Sequence, residues 1–227
     1  MLWVFVRKGL ADIPNIGNYT HWKSQLAKEG GYQCVYCAIH EGRFGGQRNF
    51  HIEHFRPRSR FSHLENDYNN LFYACSICNS YKSNDWPAEP CEEFNRAAYI
   101  DPSRFDYNGV FGIQGYLVTS TLVSSRYMIE RLYLNRPQLI VERRIAECLK
   151  KREIMNTEFA KLMMSYEALP QSARSAELCD VFAQLVFEIS RAFDLFASLN
   201  SMRPYEQFEV SRRAVREVTG KAAYSDA

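Results

Sequence analysis

The chain has 227 residues with 46% hydrophobic and 24% charged side chains, the proportions of a folded globular protein. Its net charge of +2 supplies no global basic field, so any polyanion binding must come from local clusters. No apolar run is long enough to span a bilayer, which excludes a helical membrane protein and leaves no membrane partner.

The start, Met1 to Val6, is apolar, but no basic segment precedes it and Arg7-Lys8 interrupts it. It reads as a strand and not as a signal peptide. A turn is expected around Pro14-Asn15-Ile16-Gly17, then a short helix from Thr20 to Lys28 ended by Gly30-Gly31. Seven cysteines, an odd count, argue against a disulfide framework and for a reducing cytoplasm. Cys148 and Cys179 fall in helical patterns as small core residues, and Cys91 follows a proline-containing stretch.

Residues 34 to 86 form a cysteine-bounded unit. Phe50 to Phe55 reads as a strand ended by Pro57, Leu71 to Ala74 as a second, and Cys75 to Ser83 as a knuckle opening into a short helix. Turn residues then flank a hairpin of Val110 to Ile113 and Tyr116 to Thr119. Helical patterning begins near Thr121 and breaks at Asn135-Arg136-Pro137, with Pro137 in the first turn of the next helix. Val141, Ile145, Cys148, Met155, Phe159 and Leu162 mark one face of a long helix, and Leu178, Phe182, Leu185, Ile189, Phe193 and Phe196 mark another. A last helix would carry Phe208, Ala214, Val215 and Val218, with Arg212, Arg213 and Arg216 as a basic patch. The expected fold class is α+β: a small zinc-braced ββα-metal unit followed by a mostly helical C-terminal region, divided as residues 1–120 and 121–227.

Cys34-x-x-Cys37 and Cys75-x-x-Cys78 are paired knuckles. Two such turns aim four thiolates at one point, and Zn²⁺ accepts four sulfurs at about 2.3 Å. Four thiolates leave no open position, so this zinc is expected to be structural.

Between the knuckles lies His51-Ile52-Glu53-His54, followed by Asn70 and Asn79. Hydrolysis of a phosphodiester needs an activated water, neutralisation of phosphate charge and stabilisation of the leaving oxygen. A neutral histidine serves the first and one divalent metal serves the others. Glu53 and His54 are adjacent on a strand, so their side chains leave on opposite sides, one toward a metal and one toward a water. Asn79 can present a carbonyl oxygen to the same metal, while Asn70 can fix the histidine tautomer or brace the loop. Oxygen ligands with open positions suit Mg²⁺ or Mn²⁺. His51 shares a strand face with Glu53, where it can brace the site or touch phosphate. Arg56, Arg58 and Arg60 alternate after the Glu-His step; in an extended segment they form a basic row beside the scissile phosphate, and Lys82 one helical turn after Asn79 extends it.

The run Cys34-x-x-Cys37, His51-Ile-Glu-His54-Phe-Arg-Pro57, Asn69-Asn70-Leu71, Cys75-x-x-Cys78-Asn79, Lys82 resembles the HNH endonuclease family. The resemblance implies a ββα-metal unit with His54 as general base and Asn70 as the middle asparagine. Glu53 stands where the family usually has Asp or His as metal ligand, and Asn79 where many members have the last histidine. The longer phrase HIEHFRPRSRF, then DYNNLFYACSICNSYKSNDWP, Asp101-Pro102 and Leu132-x-Leu134-Asn135-Arg136-Pro137 is similar to the HNH subunit of Septu-type and retron-associated anti-phage systems. That similarity reaches to about residue 150 and implies an ABC-type ATPase partner. The expected function is therefore a metal-dependent endonuclease, with DNA as substrate by analogy and a role as effector of a defence complex. Two readings compete: a zinc-stabilised nucleic-acid- or protein-binding module with a degenerate site, and an RNA (tRNA) nuclease active only with its ATPase.

Overall fold

The computed structural model describes residues 2–9 and 18–200, with backbone alone for 193–200. The expected turn at residues 14–17, the side chains of Phe193 and Phe196, the last helix and the Arg212, Arg213 and Arg216 patch lie outside the described residues. The chain divides into two compact units, Met1–Leu139 and Ile140–Ala227.

The first unit opens with an extended segment, residues 2–9, that is not the expected strand. Its backbone finds a side-chain partner instead of a ladder. The Asn108 amide accepts from Leu2 N at 2.8 Å and returns a hydrogen bond to Trp3 O at 2.7 Å. That exchange satisfies the same polar groups a neighbouring strand would. Trp3 and Val6 are buried, and Trp3 Nε1 donates to Tyr36 O at 2.9 Å.

A 3₁₀ turn, Tyr19–Trp22, capped by Asn18, runs into helix α1 (Lys23–Glu29), which Gly30 ends. Strands β1 (Phe50–His54) and β2 (Leu71–Cys75) pair antiparallel, from Phe50 opposite Cys75 to His54 opposite Leu71. Helix α2 (Ser76–Lys82) follows β2 directly, completing the ββα unit. All five residues of β2 are buried, which is why its sequence, Leu-Phe-Tyr-Ala-Cys, shows no polar alternation. β1 is covered unevenly: Phe50 stacks on Tyr73 at 4.6 Å, His51 is exposed, and Glu53 is buried.

A short helix α3 (Tyr107–Val110) precedes the hairpin of β3 (Gly112–Gln114) and β4 (Leu117–Thr119). Gly115 turns that hairpin with φ +60°, a backbone conformation that favours glycine. Helix α4 (Val123–Arg131) follows. The core of the unit is aromatic: Tyr36, Phe50, Phe55, Phe72, Tyr73 and Tyr99 are almost wholly buried, with Met128, Leu132 and Leu134 from α4 and beyond.

Helix α5 (Pro137–Glu167) begins at the close of the first unit and supplies most of the second, with α6 (Ala176–Asn200). Val141, Ile145, Cys148, Met155, Phe159 and Leu162 of α5 are half-buried, while Leu149 and Ile154 are exposed. Tyr166 of α5 stacks on Phe182 of α6 at 3.8 Å, and Tyr166 also donates to Cys179 Sγ at 3.1 Å. No helix among the described residues is long and apolar enough to cross a membrane. The fold is thus a mixed helix and strand structure with small sheets, a four-cysteine cluster in its ββα unit and a helical C-terminal part.

Candidate metal centre and cleft

The four knuckle cysteines converge. Their sulfur atoms all lie within 4.8 Å of one another and all four residues are buried. Cys37 Sγ and Cys75 Sγ stand 3.8 Å apart. A tetrahedron with metal–sulfur bonds of about 2.3 Å has edges of about 3.8 Å, the Cys37–Cys75 separation, so the cluster is of the size that holds zinc. The first knuckle is tied to the sheet, since Val35 N donates to Tyr73 O at 2.9 Å. The second is the helix start itself: Cys75 caps α2, its sulfur accepting from Cys78 N at 3.4 Å. The position of α2, and of Asn79 on it, is therefore set from the cluster.

Glu53 points inward. It is 3% exposed, and its Oε1 lies 2.6 Å from the Lys82 ammonium, itself 0% exposed. Lys82 Nζ also donates to His54 O at 2.9 Å, and the Tyr36 hydroxyl donates to Glu53 Oε1 at 3.3 Å. Burial raises the Glu53 carboxyl above the usual carboxylate range, against the pull of Lys82 and Tyr36. Lys82 is thus not a surface phosphate contact. Its ammonium serves the interior, bonded to Glu53 and to the His54 carbonyl, where an unpaired carboxylate would be costly.

His54 sits half-buried at the end of β1, with Nε2 2.9 Å from the backbone carbonyl oxygen of Glu65. A carbonyl only accepts, so Nε2 carries the proton and Nδ1 keeps its lone pair. Burial first, and then the positive charges of Arg58 and Lys82, hold His54 below the ordinary histidine range. The imidazole is therefore neutral at neutral pH. The Tyr19 ring meets it edge-on at 4.8 Å.

Asn70 does not touch His54. Its Oδ1 accepts from Arg56 N at 2.7 Å, and its Nδ2 donates to Arg56 O at 3.1 Å and Leu64 O at 3.3 Å. It braces the loop that carries the Glu65 carbonyl, so its influence on the histidine is indirect.

The arginines do not form a row. The chain bends at residues 55–56 and turns at 58–60, with Arg60 N bonded to Pro57 O. Each guanidinium finds a different protein partner. Arg56 pairs with Glu89 at 2.9 Å and Arg60 donates to Trp86 O at 2.6 Å. Arg58 reaches Glu65 at 3.3 Å and the Tyr19 hydroxyl at 3.1 Å. The extended backbone that would have aligned them is absent because Pro57 begins a turn here.

A cleft of about 470 Å³ collects the remaining pieces. Its wall includes His51, Glu53 and His54 from β1, Asn79 and Ser80 from α2, and Arg58 and Tyr19. Glu53 and Asn79 both line it; a carboxylate oxygen and an amide oxygen are donor types that suit a partly hydrated Mg²⁺ or Mn²⁺, and the Glu53 oxygen is already engaged by the buried Lys82 ammonium. Arg56, Arg60 and Asn70 do not line it.

Several contributors carry no readable sequence signal. The Glu65 carbonyl is backbone, Tyr36 lies in the unspecified part of a knuckle, and Tyr19 comes from outside the motif. Arg136 donates to Cys78 Sγ and Cys37 Sγ, each at 3.6 Å; 58 residues separate it from the first of these.

No curated protein and no solved structure matches the chain. Residues 34–85, which contain both knuckles, β1, β2 and α2, match the family model described as HNH endonuclease. The region that matches the HNH endonuclease model, residues 34–85, is thus a ββα unit built around a buried four-cysteine cluster.

Proposed function

We propose that the chain is a metal-dependent endonuclease whose general base is His54 Nδ1. The observation that carries this reading is the 2.9 Å contact of His54 Nε2 with the Glu65 carbonyl, in the same cleft as Glu53 and Asn79. It leaves a neutral imidazole with one free lone pair facing the place where a phosphodiester and a water can meet.

His54 Nδ1 takes the proton of the attacking water, and the Glu65 carbonyl and the Tyr19 ring keep the imidazole from turning away. The new charge on the ring is shared with the Glu65 carbonyl. Arg58, the one arginine in the cleft wall, is placed to hold a phosphate oxygen in exchange for Glu65. Glu53 and Asn79 are the residues that would hold a divalent ion, which would neutralise charge on the phosphate and stabilise the leaving oxygen. Zinc held by the four cysteines would do no chemistry and would fix where α2 begins.

DNA is the favoured substrate by analogy with HNH relatives, and an ABC-type ATPase is the favoured partner on the sequence resemblance through residue 150. Together these support a role as nuclease effector of an anti-phage complex. The buried Glu53–Lys82 pair favours a second reading, a zinc-stabilised binding module, because the carboxylate already has a cation. Cleavage assays on plasmid, single-stranded DNA and tRNA, with and without the ATPase, separate the two. Cleavage that needs Mg²⁺ or Mn²⁺ and is blocked by chelator supports the nuclease; binding without cleavage under every condition supports the module.

A further inference from the structure

The geometry points to Arg136 as the counter-cation of the four-cysteine metal centre, joining the α4–α5 junction to metal retention. This inference rests on the zinc reading of the cluster and not on the nuclease assignment.

Four thiolates and one divalent ion carry two net negative charges, and here they are buried. Such charge is expensive inside a protein unless a cation or donors oppose it. Arg136 is 7% exposed and brings two nitrogens to three of the four sulfurs. Nη1 lies 3.6 Å from Cys78 Sγ, and Nη2 lies 3.6 Å from Cys37 Sγ and 3.9 Å from Cys75 Sγ. The planar fork thus spans both knuckles, which a lysine's single ammonium does with poorer geometry.

The neighbours of Arg136 hold it there. Leu132 and Leu134 are 0% exposed in the core. Asn135 exchanges two hydrogen bonds with Val118 of β4, at 2.7 and 2.8 Å. Pro137 opens α5. Arg136 Nη1 also donates to Leu132 O and Tyr133 O, each at 3.4 Å, where α4 ends. The residues of Leu132-x-Leu134-Asn135-Arg136-Pro137, Tyr133 included, therefore help to present the guanidinium. The motif lies outside residues 34–85 yet completes the surroundings of their metal.

Partners outside the ligand set change metal affinity by about 10- to 100-fold. The test uses the full chain, purified with zinc, and follows zinc transfer to a colorimetric chelator in the parent, Arg136→Lys and Arg136→Met. Global unfolding is followed by circular dichroism under the same conditions. The expected result is zinc loss about 10- to 100-fold faster in Arg136→Met, partly restored in Arg136→Lys, and faster than unfolding. If Arg136→Met does not fold, Arg136→Lys alone decides, with loss faster than the parent expected. Release within twofold of the parent overturns the inference, as does zinc leaving only at the rate of unfolding, which marks a purely structural arginine. A parent chain that holds no zinc overturns the metal reading and this inference with it.

Discussion

His54 Nε2, in the cleft wall, and the backbone carbonyl oxygen of Glu65 stand 2.9 Å apart. The backbone acceptor sets the tautomer and orients the ring, while burial, with the charges of Arg58 and Lys82, outweighs the upward pull of that hydrogen bond and keeps the ring neutral.

The pH dependence follows from the lowered His54 value. Only the neutral ring accepts a proton, so kcat/KM should rise with pH through that value, below the ordinary histidine range, and then level before neutrality. Arg58→Gln removes one of the charges holding the value down and frees Glu65, which raises it. The acid limb of the Arg58→Gln profile should move to higher pH. A limb that stays in place, or moves lower, contradicts this electrostatic account.

Lys82 and Glu53 should show strong coupling. Lys82→Met strands a buried carboxylate, for which removal of one partner costs about 3–5 kcal/mol. Glu53→Gln with Lys82→Met removes the ion pair as a whole and should recover much of that loss. Urea unfolding of the parent, both single variants and the double gives the coupling energy directly. Additive losses would mean that the pair is not a unit.

Asn70 should act through the loop. Asn70→Ala leaves the Arg56 and Leu64 backbone groups without their partner, at about 1–3 kcal/mol. It frees the segment that carries Glu65, so cleavage should fall while zinc content stays at the parent level. Asn70→Asp can still accept from Arg56 N but cannot donate to Arg56 O, and should rescue little. Full cleavage in Asn70→Ala would detach the loop from the chemistry.

The three arginines should differ. Only Arg58 lines the cleft, so Arg58→Ala should reduce the salt slope of nucleic-acid binding by about one counterion unit. Arg56→Ala and Arg60→Ala should leave the slope near that of the parent, because their guanidinium groups serve Glu89 and Trp86. Filter-binding or fluorescence titrations over a range of salt measure this. Equal slope changes in all three would restore the basic row.

How far the sequence could be read depended on whether the deciding partner was local. The knuckle spacing alone implies the four-sulfur cluster, and the strand-strand-helix order between residues 50 and 83 implies the ββα unit. Both rest on neighbours along the chain. Lys82 looked like a phosphate contact because a lysine one turn after Asn79 can point either way. Its inward turn depends on Glu53 and Tyr36, which only the folded core brings to it. The arginine row assumed an extended backbone, but the chain turns after Pro57, with Arg60 N bonded to Pro57 O. The opening strand failed for a similar reason: Asn108, distant in sequence, supplies the hydrogen bonds in place of a ladder. Arg136 was visible as a helix break and as part of the Leu132-to-Pro137 phrase, but not as a partner of the cysteines, since proximity to sulfur leaves no mark in the surrounding sequence.

The central claim is that His54 is the base of a metal-dependent nuclease. The most direct test is His54→Ala, assayed for cleavage, zinc content, melting temperature and nucleic-acid binding together. The account predicts zinc, folding and binding close to the parent, with cleavage reduced by about 10²- to 10⁴-fold, the usual contribution of a general base. Cleavage retained at the parental rate in His54→Ala would contradict it.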